Sequence, residues 1–238
     1  MKEIISAIRF LTIFPLGKTD EESLKNSIIF FPFVGMLIGT LAYLFYFLVN
    51  KFLPNEISSF LLIIFLIVLT GGIHLDGFID TVDGFIGGKN KQEILKIMED
   101  PKMGGFSAIF LFSLLFLKFL IIKNTSDLKI SLIISCLLSR YSVCYFSYFS
   151  EPAKDYGLSK IFFESKKFSN FFVSTIFTFT FLFLFLKLYS FILFCINILF
   201  FQILNFYFRK KVGGITGDIF GFNIEITELF NLILLWKF

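Results

Sequence analysis

Apolar residues in this chain fall in blocks of about twenty, parted by short polar stretches. About twenty consecutive apolar residues is the length a helix needs to cross the hydrocarbon core of a bilayer. The blocks predict seven membrane-spanning helices, at 31–50, 57–73, 105–122, 130–149, 168–187, 188–208 and 217–236. The run 168–208 is too long for one crossing and is expected to turn near Lys187-Leu188-Tyr189-Ser190. The last block is the weakest, because it contains Asp218, Glu225 and Glu228. Residues 3–14 read as a short amphipathic helix lying at the interface. No soluble domain and no repeat is evident. The fold expected is all-α, a polytopic membrane bundle forming one domain over 1–238.

Composition agrees. The chain is 56% hydrophobic with 39 Phe, and its mean hydropathy is +0.83. Soluble domains average roughly 45–50% apolar residues. The net charge of +4 is modest and its cations are scattered between apolar blocks, which argues against a nucleic-acid partner. Their placement sets an orientation. With the N-terminus inside, the inner segments hold Lys2, Arg9, Lys18, Lys25, Lys89, Lys91, Lys96, Lys102, Lys154, Lys160, Lys166, Lys167, Arg209, Lys210 and Lys211. The outer ones hold only Lys51, Lys123, Lys129, Lys187 and Lys237. That bias is the positive-inside pattern, and removing one crossing would mix the two sets. Cys136, Cys144 and Cys195 lie inside apolar blocks without C-x-x-C spacing, so neither zinc nor disulfides are expected. Residues 1–14 carry Lys2, Glu3 and Arg9 and lack a long apolar core, unlike a cleavable signal peptide.

The sharpest polar segment runs from Gly71-Gly72-Ile73-His74-Leu75-Asp76-Gly77 to Asp80, Asp83 and Gly84. Asp76, Asp80 and Asp83 are spaced i, i+4, i+7 and fall within roughly 60° of one helix face. Three carboxylates so close repel one another, and a divalent cation removes the repulsion; an all-oxygen set suits Mg²⁺ or Mn²⁺. His74, the only histidine, lies on the far side of that helix, where capping or packing and chemistry are equally open, and it is not expected to be a metal ligand. In a second segment a helix stops before Pro101, and Lys102 and Gly104 adjoin the start of the next span, an arrangement equally open to a phosphate site and to an ordinary basic loop. In the third, Gly213-Gly214 leads to Asp218, with Glu225 on the same helix face. Acids inside a span face the bundle interior and mark function. Arg140, deep in its span, needs an acidic or phosphate partner.

These segments resemble the cobalamin synthase family, the adenosylcobinamide-GDP ribazoletransferases, over nearly the whole chain. Arg9-Phe10-Leu11-Thr12 and Phe31-Pro32-Phe33-Val34-Gly35 are similar to its N-terminal signature. The acidic segment, Ile97-Met98, Asp100, Lys102 and Gly104, Ser139-Arg140, Lys154 with Gly157-Leu158, and Gly213 through Asp218 with Glu225 follow in family order. Pro101 and Lys102 stand where a Ser-Arg pair is usual, Gly105 where Thr is usual, and Lys154 where Arg is common. A lysine keeps the charge of an arginine but not its bidentate fork.

The resemblance implies an enzyme that joins adenosylcobinamide-GDP and α-ribazole, or its 5′-phosphate, releasing GMP. The acid and glycine pattern fits phosphoryl transfer, which is mostly positioning and charge neutralisation. The expected roles place Mg²⁺ on Asp76, Asp80 and Asp83, with Asp83 or Asp218 taking the ribazole proton. Lys102, Arg140 and Lys154 are expected to hold phosphates, and Gly104 and Glu225 to belong with them to the substrate-binding set. The setting implied is a prokaryotic cytoplasmic (inner) membrane, with lipid around the bundle, the site facing the cytoplasm, and room for a homo-oligomer. A CDP-alcohol phosphotransferase would need Ala-Arg soon after an Asp-Gly pair, whereas Asp83-Gly84 leads to Phe85-Ile86. A transporter would leave unexplained why the polar motifs gather on one side.

Overall fold

The computed structural model describes residues 1–17, 20–154, 156–164 and 166–237, and of Leu158 and Ser159 only the backbone. Lys18, counted above among the inner cations, lies outside the described residues. The chain forms α1 (Lys2–Leu11), α2 (Glu21–Ser27), α3 (Phe31–Val49), α4 (Asn55–Thr70), α5 (Ile73–Gly87) and α6 (Lys91–Ile97). It continues with α7 (Gly105–Asn124), α8 (Leu128–Phe149), α9 (Leu158–Glu164), α10 (Phe168–Leu186), α11 (Tyr189–Val212) and α12 (Gly217–Leu234). No strand occurs among the described residues, only an isolated bridge between Pro152 and Ile215.

Each predicted span coincides with a helix, namely α3, α4, α7, α8, α10, α11 and α12. By length and composition alone, five stretches suffice to cross a membrane: Glu21–Val49, Gly105–Asn124, Leu128–Phe149, Phe168–Leu186 and Tyr189–Val212. A sixth is reached if α4 and α5, bent by 92°, are taken as one span. These criteria therefore stop short of the seven expected. α4 has 16 residues, roughly 24 Å of helix, and α12 carries three acids. The predicted end of the second span, at residue 73, moves back to Thr70, because Gly71 and Gly72 take left-handed φ of 66° and 70°. Their N–H groups close onto Val68 and Ile67 and end the helix. The break between α10 and α11 falls at Lys187, inside the predicted turn.

α8 is the central post, buried from Ser131 through Ser147. Its serines turn inward without cost because Ser135, Ser139 and Ser142 donate to carbonyls of their own helix. Gly35 and Gly39 of α3 press against the backbone of α8 at Cys136 and Leu132, where a side chain would clash. Close approach at small residues is how helices associate where no water drives them together. The outer faces of α7, α10 and α11 expose Phe106, Phe112, Phe172, Leu184, Phe191 and Phe206.

Candidate functional site

The acidic cluster is built by one helix crossing. α5 leaves α4 at 92° and lies outside the helices we read as spans, carrying Asp76, Asp80 and Asp83 on one side and Phe78, Thr81 and Val82 against the core. The first turn of α12 lies across it at two glycines. A Cβ on Gly77 would come 2.7 Å from the Asp218 carbonyl oxygen, and one on Gly221 would come 3.0 Å from that of His74. Only glycines permit this approach, and it delivers Asp218 to the three aspartates of α5. Thr216 caps α12, accepting from the Ile219 N–H at 3.2 Å. Burial, then the charges of Asp76, Asp218 and Asp83, push the Asp80 carboxyl up to about 7 from its ordinary 3.8. The four acids form one electrostatic unit.

The acids are not equivalent. Asp83 Oδ2 accepts from the Gly104 N–H at 2.7 Å and from Ser107 Oγ at 2.8 Å, capping α7 from a neighbouring helix. Gly104 is needed because a Cβ there would collide with the Asp83 carboxylate. This corrects the substrate-binding role expected of Gly104: the start of α7 already holds an anion, and it is Asp83. Among the described residues no three acidic side chains are close enough as they stand to hold one ion. The donor set is nonetheless all oxygen, and the crowding of charge on Asp80 is of the kind a hard divalent cation relieves.

Lys154 reaches the cluster through the bridge between Pro152 and Ile215. The Ala153 N–H donates to Ile215 at 3.0 Å and the Ile215 N–H to Glu151 at 2.9 Å, tying the loop after α8 to the turn before α12. Lys154 pairs with Glu99 at 2.7 Å and lies close enough to Asp218 for their charges to interact. Its side chain is 11% exposed. Tyr156 also donates to Glu99, at 2.7 Å. Glu99 and Tyr156 were not expected here, and nothing in their spacing marks them. Lys102 is exposed, and its N–H donates to Asp100 at 3.0 Å.

Arg140 needs correction as a phosphate ligand, and Glu225 as a substrate ligand. Both are buried, and each is spent on a partner inside the bundle. Arg140 Nη1 pairs with Glu228 Oε2 at 2.6 Å, and Lys118 Nζ pairs with Glu225 Oε2 at 2.6 Å and Glu228 Oε1 at 2.9 Å. The two cations and two anions cancel and fasten α12 to α7 and α8. The sequence signal was present: Lys118 is a cation in an otherwise apolar block, like Arg140, and both needed acids. His74 is buried, and its Nε2 has no hydrogen-bond partner within the protein.

Comparison with known proteins gives this arrangement a family. The sequence model of the cobalamin-5-phosphate synthases matches residues 3–236. An adenosylcobinamide-GDP ribazoletransferase of Treponema denticola is 36% identical over 250 residues, covering 96% of this chain and 95% of that protein. Proteins of the same name from Clostridium tetani and Caldanaerobacter subterraneus are each 30% identical, covering 95% and 98% of this chain and 93% and 97% of their own length. No solved structure matches significantly. A match that runs from α1 to the end of α12, and so takes in every acid of the cluster, makes this chain a member of the cobalamin-5-phosphate synthase family.

Proposed function

We propose that this protein joins adenosylcobinamide-GDP to α-ribazole, or to α-ribazole 5′-phosphate, giving adenosylcobalamin or its 5′-phosphate and GMP. The names borne by its relatives support the substrates. The observation that carries the chemistry is the α5–α12 crossing, which gathers four carboxylates beside a lysine.

In the proposed reaction a ribose hydroxyl attacks the phosphorus that is esterified to the cobinamide arm. The new P–O bond forms as the bond to the oxygen bridging toward GMP breaks, and GMP leaves with that oxygen. Asp83 is committed to α7 through Oδ2, which leaves Asp218 as the carboxylate to take the hydroxyl proton. Lys154, pinned by Glu99, offers its ammonium to a phosphate from the α12 side, and Lys102 is exposed and available to a second. Asp76, Asp80 and the remaining oxygen of Asp83 would hold Mg²⁺, which when bound supplies charge neutralisation to the pyrophosphate. The bias of basic residues favours a cytoplasmic site; protease or reporter accessibility at Lys91 and Lys160 inside, and Lys123 outside, tests that orientation.

The deciding experiment incubates membranes containing the protein with both substrates and Mg²⁺ and separates the products by chromatography. GMP and cobalamin should appear one to one, and only when the ribazole and a divalent cation are both present. Release of cobinamide phosphate, or of GMP at an equal rate without ribazole, would overturn the mechanism.

A further inference from the structure

The face of α5 opposite its acids lines a groove of about 280 Å³, which α7, α11 and α12 complete. Phe78 and Phe208 are buried at its back, and Ile86, Phe110 and Tyr207 are exposed at its mouth. Among the described residues that line it none is charged, and Thr81 and Tyr207 are the only polar ones. The helix ends around the groove lie together. α7 begins where Asp83 of α5 accepts from the Gly104 N–H, and α12 begins across Gly77 of α5. α11 ends beside α6, where Lys91 Nζ stands 2.8 Å from the place that a Cβ on Gly213 would take. At 1.5 Å of rise per residue, the groove residues of α7, α11 and α12 lie roughly 6 to 14 Å in from those ends.

Cations collect at the same end. Arg209, Lys210 and Lys211 form the last turn of α11 and are exposed, as is Lys91 beside them. None of the four has an ion-pair partner among the described residues. Lys211 follows Tyr207 and Phe208 by one turn and so shares their helix face. The dipole of α11 accounts for cations in its own last turn. It does not account for Lys91, which a different helix brings to the same place.

We propose that the groove seats one acyl chain of an anionic glycerophospholipid, whose phosphate rests between Lys91 and Lys211. An alkyl chain asks for no hydrogen bonds, which suits walls almost without polar residues, whereas a nucleotide or a corrin would bury polar groups there unsatisfied. The step from cations to an apolar groove one to three turns deeper follows the step from head group to hydrocarbon in a leaflet. Unpaired basic residues at that level select anionic over zwitterionic head groups. The seated chain backs α5 on the face opposite Asp76, Asp80 and Asp83.

The test titrates full-length protein in detergent with phosphatidylglycerol or phosphatidylcholine and counts retained lipid by native mass spectrometry. The wild type should retain one phosphatidylglycerol per chain, at least about tenfold more tightly than phosphatidylcholine. Lys91→Gln combined with Lys211→Gln should reduce that preference to about threefold or less. Ile86→Trp, which fills the mouth, should weaken both lipids, and Leu199→Trp, on an exposed part of α11 outside the groove, should weaken neither. In membranes, phosphatidylglycerol with a photoreactive group in its acyl chain should label the peptides around Phe110 and Tyr207 above those of α10. Equal affinity of the wild type for the two lipids overturns the proposal, as does a preference that survives the double cation variant. Labelling spread evenly over α7, α10 and α11 overturns it too. So does a disulfide between two chains carrying Ile86→Cys, which would give the groove to a second copy of the protein.

Discussion

Replacing Gly77 by Ala should disable the site without touching any charged residue. A Cβ there would lie 2.7 Å from the carbonyl oxygen and 2.9 Å from the Cα of Asp218. Both are backbone atoms, so no rotamer change relieves the clash. To restore ordinary contact at 3.4 Å, the first turn of α12 must draw back by about 0.7 Å, taking Asp218 away from Asp76 and Asp80. Misplacing a reacting group by about 1 Å costs on the order of a hundredfold in rate. Overpacking a tight contact costs about 1–3 kcal/mol of stability. Gly105→Ala is the matched control, since a Cβ there meets nothing within 4 Å. The assay is the initial rate of cobalamin formation at equal membrane protein, with melting temperature measured on purified samples. Gly77→Ala should lose about a hundredfold in turnover with a modest fall in melting temperature, while Gly105→Ala should match the wild type. A Gly77→Ala protein within roughly threefold of wild-type turnover would refute the idea that this crossing sets the reactive geometry.

Asp76→Ala and Asp80→Ala should each cut turnover by at least about a hundredfold with normal membrane levels, as loss of a transition-state charge contact does; near-normal rates in both would remove the acidic cluster from the mechanism. Asp83→Ala should in addition lower the melting temperature, since it uncaps α7, and a stability equal to that of Asp76→Ala would argue against that capping role. Because the Asp80 carboxyl is raised to about 7 in the folded protein from 3.8, the folded state holds the extra proton between those values, so stability should fall as pH rises through that window. In EDTA the melting temperature should therefore drop from pH 5 to pH 8, Asp80→Asn should flatten the drop, and a melting curve that ignores pH in the wild type would contradict it. Glu228→Ala strands Arg140, only 1% exposed, and should cost about 3–5 kcal/mol by chemical denaturation, with partial recovery on adding Arg140→Met; an unchanged denaturation midpoint in the single variant would sink the buried-network account.

The helices were legible because a membrane demands long apolar runs, and 31–50 or 105–122 announce themselves whatever surrounds them. The two places where reading and structure part have local causes. The second span ends early because Gly71 and Gly72 both adopt left-handed backbone, a choice the residues permit but do not dictate. α12 fails a simple apolar test because its acids are matched by Lys118 and Arg140, which come from blocks over 75 residues away in the chain. Periodicity along one segment says that Asp76, Asp80 and Asp83 share a face. It says nothing about which other helix will lie on that face.

That limit also explains which site residues were misassigned. A charge in a span must be paired, and substrate is one partner that the sequence allows for Arg140 and Glu225. The structure supplies another. The pairing keeps these charges out of reach of substrate, yet it bears on the reaction. The network fixes α12 against α7 and α8 at Glu225 and Glu228, and Gly221 fixes it against α5 one turn before Glu225. Held at both places, α12 has little freedom to slide, and Asp218 at its first turn is delivered to Asp80 by rigid elements instead of a loop. A hydrolytic or transfer site formed from loops alone would have to order them against several like charges on each turnover. Here the repulsion among four carboxylates is borne by the membrane bundle, whose stability comes from packing and from ion pairs closed within it. The helical bundle is thus the scaffold that keeps the acids together.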